Sequence, residues 1–184
     1  MAEYYLISQL PSLDGLSENV PMPITEERFF ELCERFLSKK LQEQLKKLTL
    51  MPSRDYEKSE SSLVEKWNEG ERKLRLVLAK ARADKMKKQF EISENSIPVE
   101  LQQAVREAVE IENPMEAEKF LNKYRLEFLE SLRPMDSFSE DFVFYYGLKL
   151  KLISRIKQFD LESGETAYKN IYSSIINGER LEVI

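Results

Sequence analysis

Apolar residues return at three- and four-residue steps along most of this chain, and the breaks between those runs divide it into amphipathic helices. Thr25 is placed to cap the first, with Glu26 and Glu27 in its opening turn and Phe29, Phe30, Leu32, Cys33, Phe36 and Leu37 on its apolar side. Ser38 starts a shorter one carrying Leu41, Leu45 and Leu48, stopped by Met51-Pro52, and Arg54–Ser62 reads as a polar loop. The longest helix is predicted from about Ser62 to about Lys88, with Leu63, Trp67, Gly70, Leu74, Val77, Leu78 and Ala81 on one face. At 1.5 Å per residue it would run roughly 40 Å. Gly70 lies on that apolar face, where a missing side chain lets another helix approach.

The second half repeats the theme. Ile92–Ser96 is a connection, and Ser96 and Pro98 open a helix to about Glu110 bearing Val99, Leu101, Val105, Ala108 and Val109. Asn113, Pro114 and Glu116 have the spacing of an N-cap, an N1 proline and a capping box. The stripe Ala117, Phe120, Leu121, Tyr124, Phe128 and Leu132 follows, and Pro134 ends it. Ser137 and Glu140 offer a second capping box before Phe142, Tyr145, Tyr146, Leu148, Leu152, Ile153, Ile156 and Phe159. These two helices make an antiparallel hairpin. Leu161–Glu165, with Gly164, reads as a loop. Tyr168, Ile171, Tyr172, Ile175 and Ile176 form a last helix with Gly178 at its C′ position, and Glu179–Ile184 is a fraying tail.

Two stretches break the helical period. Tyr4–Leu10 is aromatic and partly β-branched, and reads as an extended or strand-like segment laid on the helices. Pro11–Pro23 holds three prolines and a glycine and reads as a loop. The fold class is therefore all-α, helical hairpins in a bundle with at most one short N-terminal strand. The 184 residues fit a single helical domain, 1–184, or two lobes, 1–95 and a C-terminal hairpin lobe, 96–184.

Composition narrows the chemistry. Histidine is absent, which removes Ser-His and Cys-His nucleophile pairs and the usual zinc sites. The single cysteine, Cys33, cannot form an intrachain disulfide and suits a reducing cytoplasm. No Walker-type loop and no Gly-x-Gly-x-x-Gly is present, and no carboxylate loop of the EF-hand kind. The expectation is no enzyme, no cofactor and no metal. The N-terminal residues lack the basic and apolar regions of a signal peptide, and the longest apolar run, Phe142–Leu148, is far short of the roughly 20 residues that span a bilayer. A membrane association would run through protein partners.

Glu107, Glu110, Glu112, Glu116 and Glu118 cluster around the Asn113 cap as solvated helix surface, and a denser set is basic: Arg72, Lys73, Arg75, Lys80, Arg82, Lys85, Lys87 and Lys88, mostly opposite the Trp67 stripe. Lys85 falls on the apolar side. A solvated helix face accounts for such a run, as does a docking surface on which Arg72, Arg75, Arg82 and Lys88 bind a partner. The net charge of −5 and the lack of interleaved aromatics favour an acidic protein surface over RNA. A helical RNA-binding module using residues 72–88 is the alternative. A faint internal echo links Leu74-Arg75 and Ala81-Arg82, behind the Trp67 stripe, with Ser154-Arg155 behind the aromatic-led second helix of the hairpin.

The hairpin carries a resemblance. A helix opened by Asn113-Pro114, with Glu118, Leu121 and Tyr124 inside it, followed by an aromatic-led helix with a late Arg155, resembles the repeat of the C-type (or d-type) central-stalk protein of V-type ATPases. That family usually carries an Asp and an Asn before the arginine, which Lys149–Ser154 do not supply. With its opening Tyr4-Tyr5-Leu6-Ile7-Ser8-Gln9-Leu10-Pro11, the whole chain is similar to a shorter family of unknown function encoded beside bacterial V-type ATPase genes. The resemblance implies a non-catalytic accessory or central-stalk-like subunit that couples or assembles the soluble head and the membrane rotor. Its partners would be the central-stalk and rotor subunits, with no nucleic acid. Its place would be the cytoplasm, peripheral to the inner face of the membrane through the ATPase.

Overall fold

The computed structural model describes residues 2–16, 20–52, 58–90, 97–158 and 161–176. Among them are eight helices and no strand, so the fold is all-α. They are α1 (Ala2–Ile7), α2 (Glu26–Phe36), α3 (Lys39–Lys46), α4 (Ser62–Lys85), α5 (Val99–Glu110), α6 (Pro114–Ser131), α7 (Glu140–Lys157) and α8 (Leu161–Ile176). The Ile92–Ser96 connection, the Gly178 stop and the tail Glu179–Ile184 lie outside the described residues, as do the side chains of Phe159 and Ile176.

Local chemistry sets most of the helix starts. The Thr25, Ser38 and Ser61 hydroxyls accept from the backbone N–H of Arg28, Leu41 and Val64, and the Asn113 carbonyl oxygen accepts from Met115 N–H at 2.9 Å. α4 ends in a six-residue hydrogen-bonded turn, Lys88 N–H to Ala83 O at 2.9 Å and Lys87 N–H to Asp84 O at 3.0 Å. Lys87 holds the left-handed position, φ 54°, that glycine usually fills.

Four sequence expectations need correction. Tyr4–Leu10 is not extended: α1 covers its first half, and Ser8 N–H closes a helical turn on Tyr4 O at 3.0 Å. A lone strand would leave backbone groups unpaired, whereas a helix satisfies them internally and still buries Leu6 completely. α7 is capped by Ser139 rather than Ser137; its hydroxyl accepts from Phe142 N–H at 3.2 Å while Asp136 organises the turn before it. α3 closes at Lys46, ahead of Met51-Pro52. α8 begins at Leu161, so Gly164 sits inside a helix, a cost of about 1 kcal/mol relative to alanine that a helix can carry.

The bundle is organised around α7. Every residue from Phe142 to Leu150 is buried, so this helix is wrapped on all sides by α1, α2, α4 and α6. Its core joins Leu6, Phe29, Cys33, Leu45 and Leu129, and also takes Trp67 from the N-terminal half of α4. A second cluster holds Leu74 and Leu78 of α4 with Leu101 and Val105 of α5 and Leu121 of α6. α4 thus spans both, on either side of Gly70. Trp67 is 1% exposed and stacks on Phe128 with ring centroids 6.1 Å apart.

At Gly70 the fit is tight. A Cβ there would lie 2.3 Å from Cε1 and 2.4 Å from Cζ of Phe128, so only a bare backbone lets α6 come this close. Among the described residues no helix is long and apolar enough to cross a membrane.

Candidate functional site

Two of the most buried charged side chains face each other across the seam between α4 and α6. Glu71 is 3% exposed and Arg125 is 8% exposed. Arg125 donates from Nε to Glu71 Oε2 at 3.0 Å and from Nη2 to Oε1 at 3.2 Å, the two-pronged geometry that suits a guanidinium and a carboxylate. Its Nη1 reaches Asn122 Oδ1 at 3.0 Å and Glu118 Oε1 at 3.3 Å. Glu118 also accepts from Arg155 Nη2 of α7 at 2.9 Å. On the other side Arg75 Nε meets Glu71 Oε1 at 3.4 Å.

The chain of charges closes on one turn. Arg75 Nη1 donates to the Pro52 carbonyl at 3.1 Å, and Arg155 Nη1 lies 3.9 Å from Met51 Sδ. Arg75, Glu71, Arg125, Glu118 and Arg155 therefore tie α4, α6, α7 and the Met51–Pro52 turn together. Arg75 and Arg155 each pair with a carboxylate and each reach that turn.

A second cluster fastens the N-terminal segment to α7. Lys149 is 6% exposed, and its ammonium binds Asp14, Glu130 Oε1 at 2.5 Å and Tyr145 OH at 3.3 Å. Burial disfavours the charge, but the hydrogen bonds that Lys149 donates to Asp14, Glu130 and Tyr145 outweigh it and hold its pKa above the usual lysine value. The same Lys149 hydrogen bond keeps Asp14 below the usual carboxylate range. Tyr146 OH donates to the Pro11 carbonyl at 2.9 Å, Lys151 pairs with Glu26 at 2.9 Å, and Lys157 donates to the Val20 carbonyl.

The basic face is distributed unequally. Arg72, Arg82 and Lys88 have exposed side chains, while Arg75 is half-buried in the seam network. Lys85 turns to the C-terminal end of α5 and donates to Val109 O at 2.6 Å, where a cation meets the negative helix end. Lys73 pairs with Glu69 at 2.6 Å. So the four residues singled out from the sequence do not converge on one spot.

The carboxylates of the seam are occupied by guanidinium groups, and among the described residues no group of three or more His, Cys, Asp or Glu could hold a metal ion. Cys33, buried in the α7 core, has its thiol pushed up to about 12 by burial, the opposite of an activated nucleophile. The cleft beside Gly70, walled by Tyr124, Phe128, Glu71 and Arg125, has a volume of about 230 Å³.

A family model described as a protein of unknown function, DUF2764, matches residues 88–179, half of the chain. The chain belongs to that family. No curated protein and no solved structure matches it. The DUF2764 match contains α5 to α8, and with them Asn113, Glu118, Arg125, Lys149 and Arg155. Glu71, Arg75 and Asp14, which complete both charge clusters, lie before it.

Sequence reasoning that follows only apolar positions misses Glu71, Arg125 and Lys149. A signal was present. Glu71 stands four residues after Trp67 and three before Leu74; Arg125 stands four after Leu121 and three before Phe128; Lys149 stands four after Tyr145 and three before Leu152. Each is a charge at a core register position, and such a residue needs a buried partner of opposite sign.

Proposed function

We propose that this DUF2764 protein is a non-catalytic accessory or central-stalk-like subunit of a bacterial V-type ATPase, joining or assembling the soluble head and the membrane rotor. The observation that carries the reading is the Glu118–Arg155 pair. These two residues belong to the pattern that resembles the repeat of the C-type central-stalk protein, and they meet at 2.9 Å to fasten the two helices of the hairpin. The resemblance therefore rests on residues that touch, not only on residues that recur in order.

A stalk or socket protein needs a stiff body with broad surfaces for docking, and no reactive centre. α7, buried all round, and the α4–α6 seam supply stiffness. Arg72, Arg82 and Lys88 along and beyond α4 supply a basic surface for an acidic protein partner. Phosphoryl transfer would call for a phosphate-cradling loop and a held metal ion, and the described residues carry no arrangement of that kind. The protein works in the cytoplasm and reaches the membrane only through the ATPase.

Deleting the gene from the native host and isolating the V-type ATPase tests this. A head that forms but detaches from the rotor, or hydrolyses without pumping, identifies a coupling role. An ATPase that fails to form, and whose mature wild-type complex lacks the protein, identifies an assembly factor. An ATPase that assembles and pumps normally, with no trace of the protein in the wild-type complex, contradicts the proposal.

A further inference from the structure

Where α1 meets the turn between α6 and α7, three aromatic rings pack on one another at the surface. The ring centroids of Tyr4 and Phe138 are 4.8 Å apart, and Tyr4 and Tyr5 meet edge to face at 5.9 Å. Tyr4, Phe138 and Tyr5 stay 52%, 48% and 57% exposed, and Met135, in the same turn as Phe138, is fully exposed. Half-exposed rings offer roughly 100 Å² apiece, so with Met135 the apolar surface is on the order of 400 Å². A patch of that size on a monomer is often functional. It is smaller than the ~800 Å² that each side of a standard interface buries, so it fits a short segment rather than the face of a whole domain.

The charge around the rings says which kind of segment. Asp136 and Glu140 stand two residues before and two after Phe138, and both are exposed. Asp136 Oδ1 accepts from Phe138 N–H at 2.9 Å, which holds its carboxylate beside the rings. Among the described residues neither acid pairs with a cation, and Arg133, the nearest basic residue along the chain, is taken up by Asp14 at 3.7 Å and by the Tyr145 ring. Ring faces and unpaired carboxylates together attract a guanidinium or ammonium group. The same carboxylates repel phosphate, whether of RNA or of an anionic lipid surface, and they repel one another if two copies bring their patches together. The patch also lies away from the basic surface of α4. Lys85 binds Val109 ahead of α6, Phe138 follows the end of α6, and the 18 residues of that helix run roughly 27 Å between them.

We propose that Tyr4, Tyr5 and Phe138, with Asp136 and Glu140, dock a short arginine- or lysine-bearing segment of another protein. This does not depend on the ATPase reading. The probe is a fluorescent peptide of alternating arginine and leucine, titrated with the full-length chain at physiological salt and read by anisotropy. It binds the wild type with micromolar affinity, and a matched peptide of glutamate and leucine does not bind. Tyr5→Ala with Phe138→Ala weakens binding at least tenfold, and Asp136→Asn with Glu140→Gln at least fivefold, with the circular dichroism spectrum unchanged. Asp136→Asn keeps an oxygen for the Phe138 N–H, so the acid variant decides even if the ring variant loses helix. Glu107→Gln with Glu110→Gln removes the same charge elsewhere and leaves the affinity within twofold.

No binding of the arginine peptide overturns the proposal. So does an equal loss in the Glu107 and Glu110 variant, which marks a general effect of charge. A wild type that sediments as a dimer, and that Tyr5→Ala with Phe138→Ala makes monomeric, gives the patch to a second copy and overturns it too.

Discussion

The α4–α6 seam and the N-terminal segment are both held by ion pairs, but the pairs differ in kind. At the seam both members are inside: the side chains of Glu71 and Arg125 are 2% and 10% exposed, and their contact is two-pronged. On the N-terminal segment the cation is inside and the acid is not. The Lys149 side chain is 7% exposed, while that of its partner Asp14 is 57% exposed. Removing Glu71 takes the two-pronged contact from a buried guanidinium and leaves it only Glu118 and Asn122, both on Nη1. Removing the acid of the second kind leaves Lys149 with Glu130 and Tyr145. A single deletion at the seam is therefore costly because both members are buried, and the N-terminal segment is held by several small contacts that can yield in turn.

The largest effects are expected at the seam. Glu71→Ala leaves the Arg125 guanidinium without its two-pronged partner and should cost about 3–5 kcal/mol in a urea unfolding experiment. Pairing it with Arg125→Met should recover much of that loss, since replacing both charges by apolar groups is often neutral. A double variant as unstable as the single one would show that the pair does more than cancel its own burial. Trp67→Ala, beside the seam, should also cost about 3–5 kcal/mol. A loss below about 1 kcal/mol, with wild-type indole emission already that of water-exposed tryptophan, would contradict the burial described above.

Gly70→Ala comes next. The added methyl group enters the Phe128 ring, and overpacking of this kind costs about 1–3 kcal/mol. Combining it with Phe128→Leu should return part of the stability, because the shorter side chain vacates the contact. Equal losses in the single and double variants would place the strain elsewhere.

Asp14→Asn should give the smallest effect, at most about 1 kcal/mol, as partly exposed ion pairs do. Hydrogen exchange should quicken around Leu13–Leu16 and leave α4 and α6 unchanged. Acid should do the same. Asp14 has a folded-state pKa below its ordinary value of 3.8, so its contribution is complete above that value and is lost as pH falls through the lower folded one. Lys149 has a raised pKa, so its contribution is complete below the ordinary lysine value of 10.5 and is lost only as pH rises past it. Between those limits the N-terminal segment should stay fastened. Loosening at pH 6 would contradict this assignment.

The same contrast explains what was legible in the sequence. Caps and spacers are local, so Thr25, Ser38, Asn113 and Pro114 announce helix starts that the structure keeps, and Gly70 on an apolar face announces a close approach. α1 and the start of α8 were hidden for the opposite reason. The tyrosines of Tyr4–Leu10 suit a strand, but a strand needs a partner strand and none of the described residues is in one, and Leu6 instead anchors a helix turn. Gly164 punctuates by composition, yet one glycine does not break a helix. The charge clusters join residues far apart in the chain, Glu71 to Arg125 and Asp14 to Lys149, and periodicity within one helix cannot supply the partner.

The proposed role is docking, and the proposed dock is a rotary ATPase. Affinity capture of the tagged full-length protein from its native host, read by quantitative mass spectrometry, tests that most directly. Central-stalk and rotor subunits should be retained in fixed proportion to the bait, and charge reversal at Arg72, Arg82 and Lys88 should reduce that proportion several-fold without altering the helical content. Capture of the bait with no rotary-ATPase component enriched over an untagged control would contradict it.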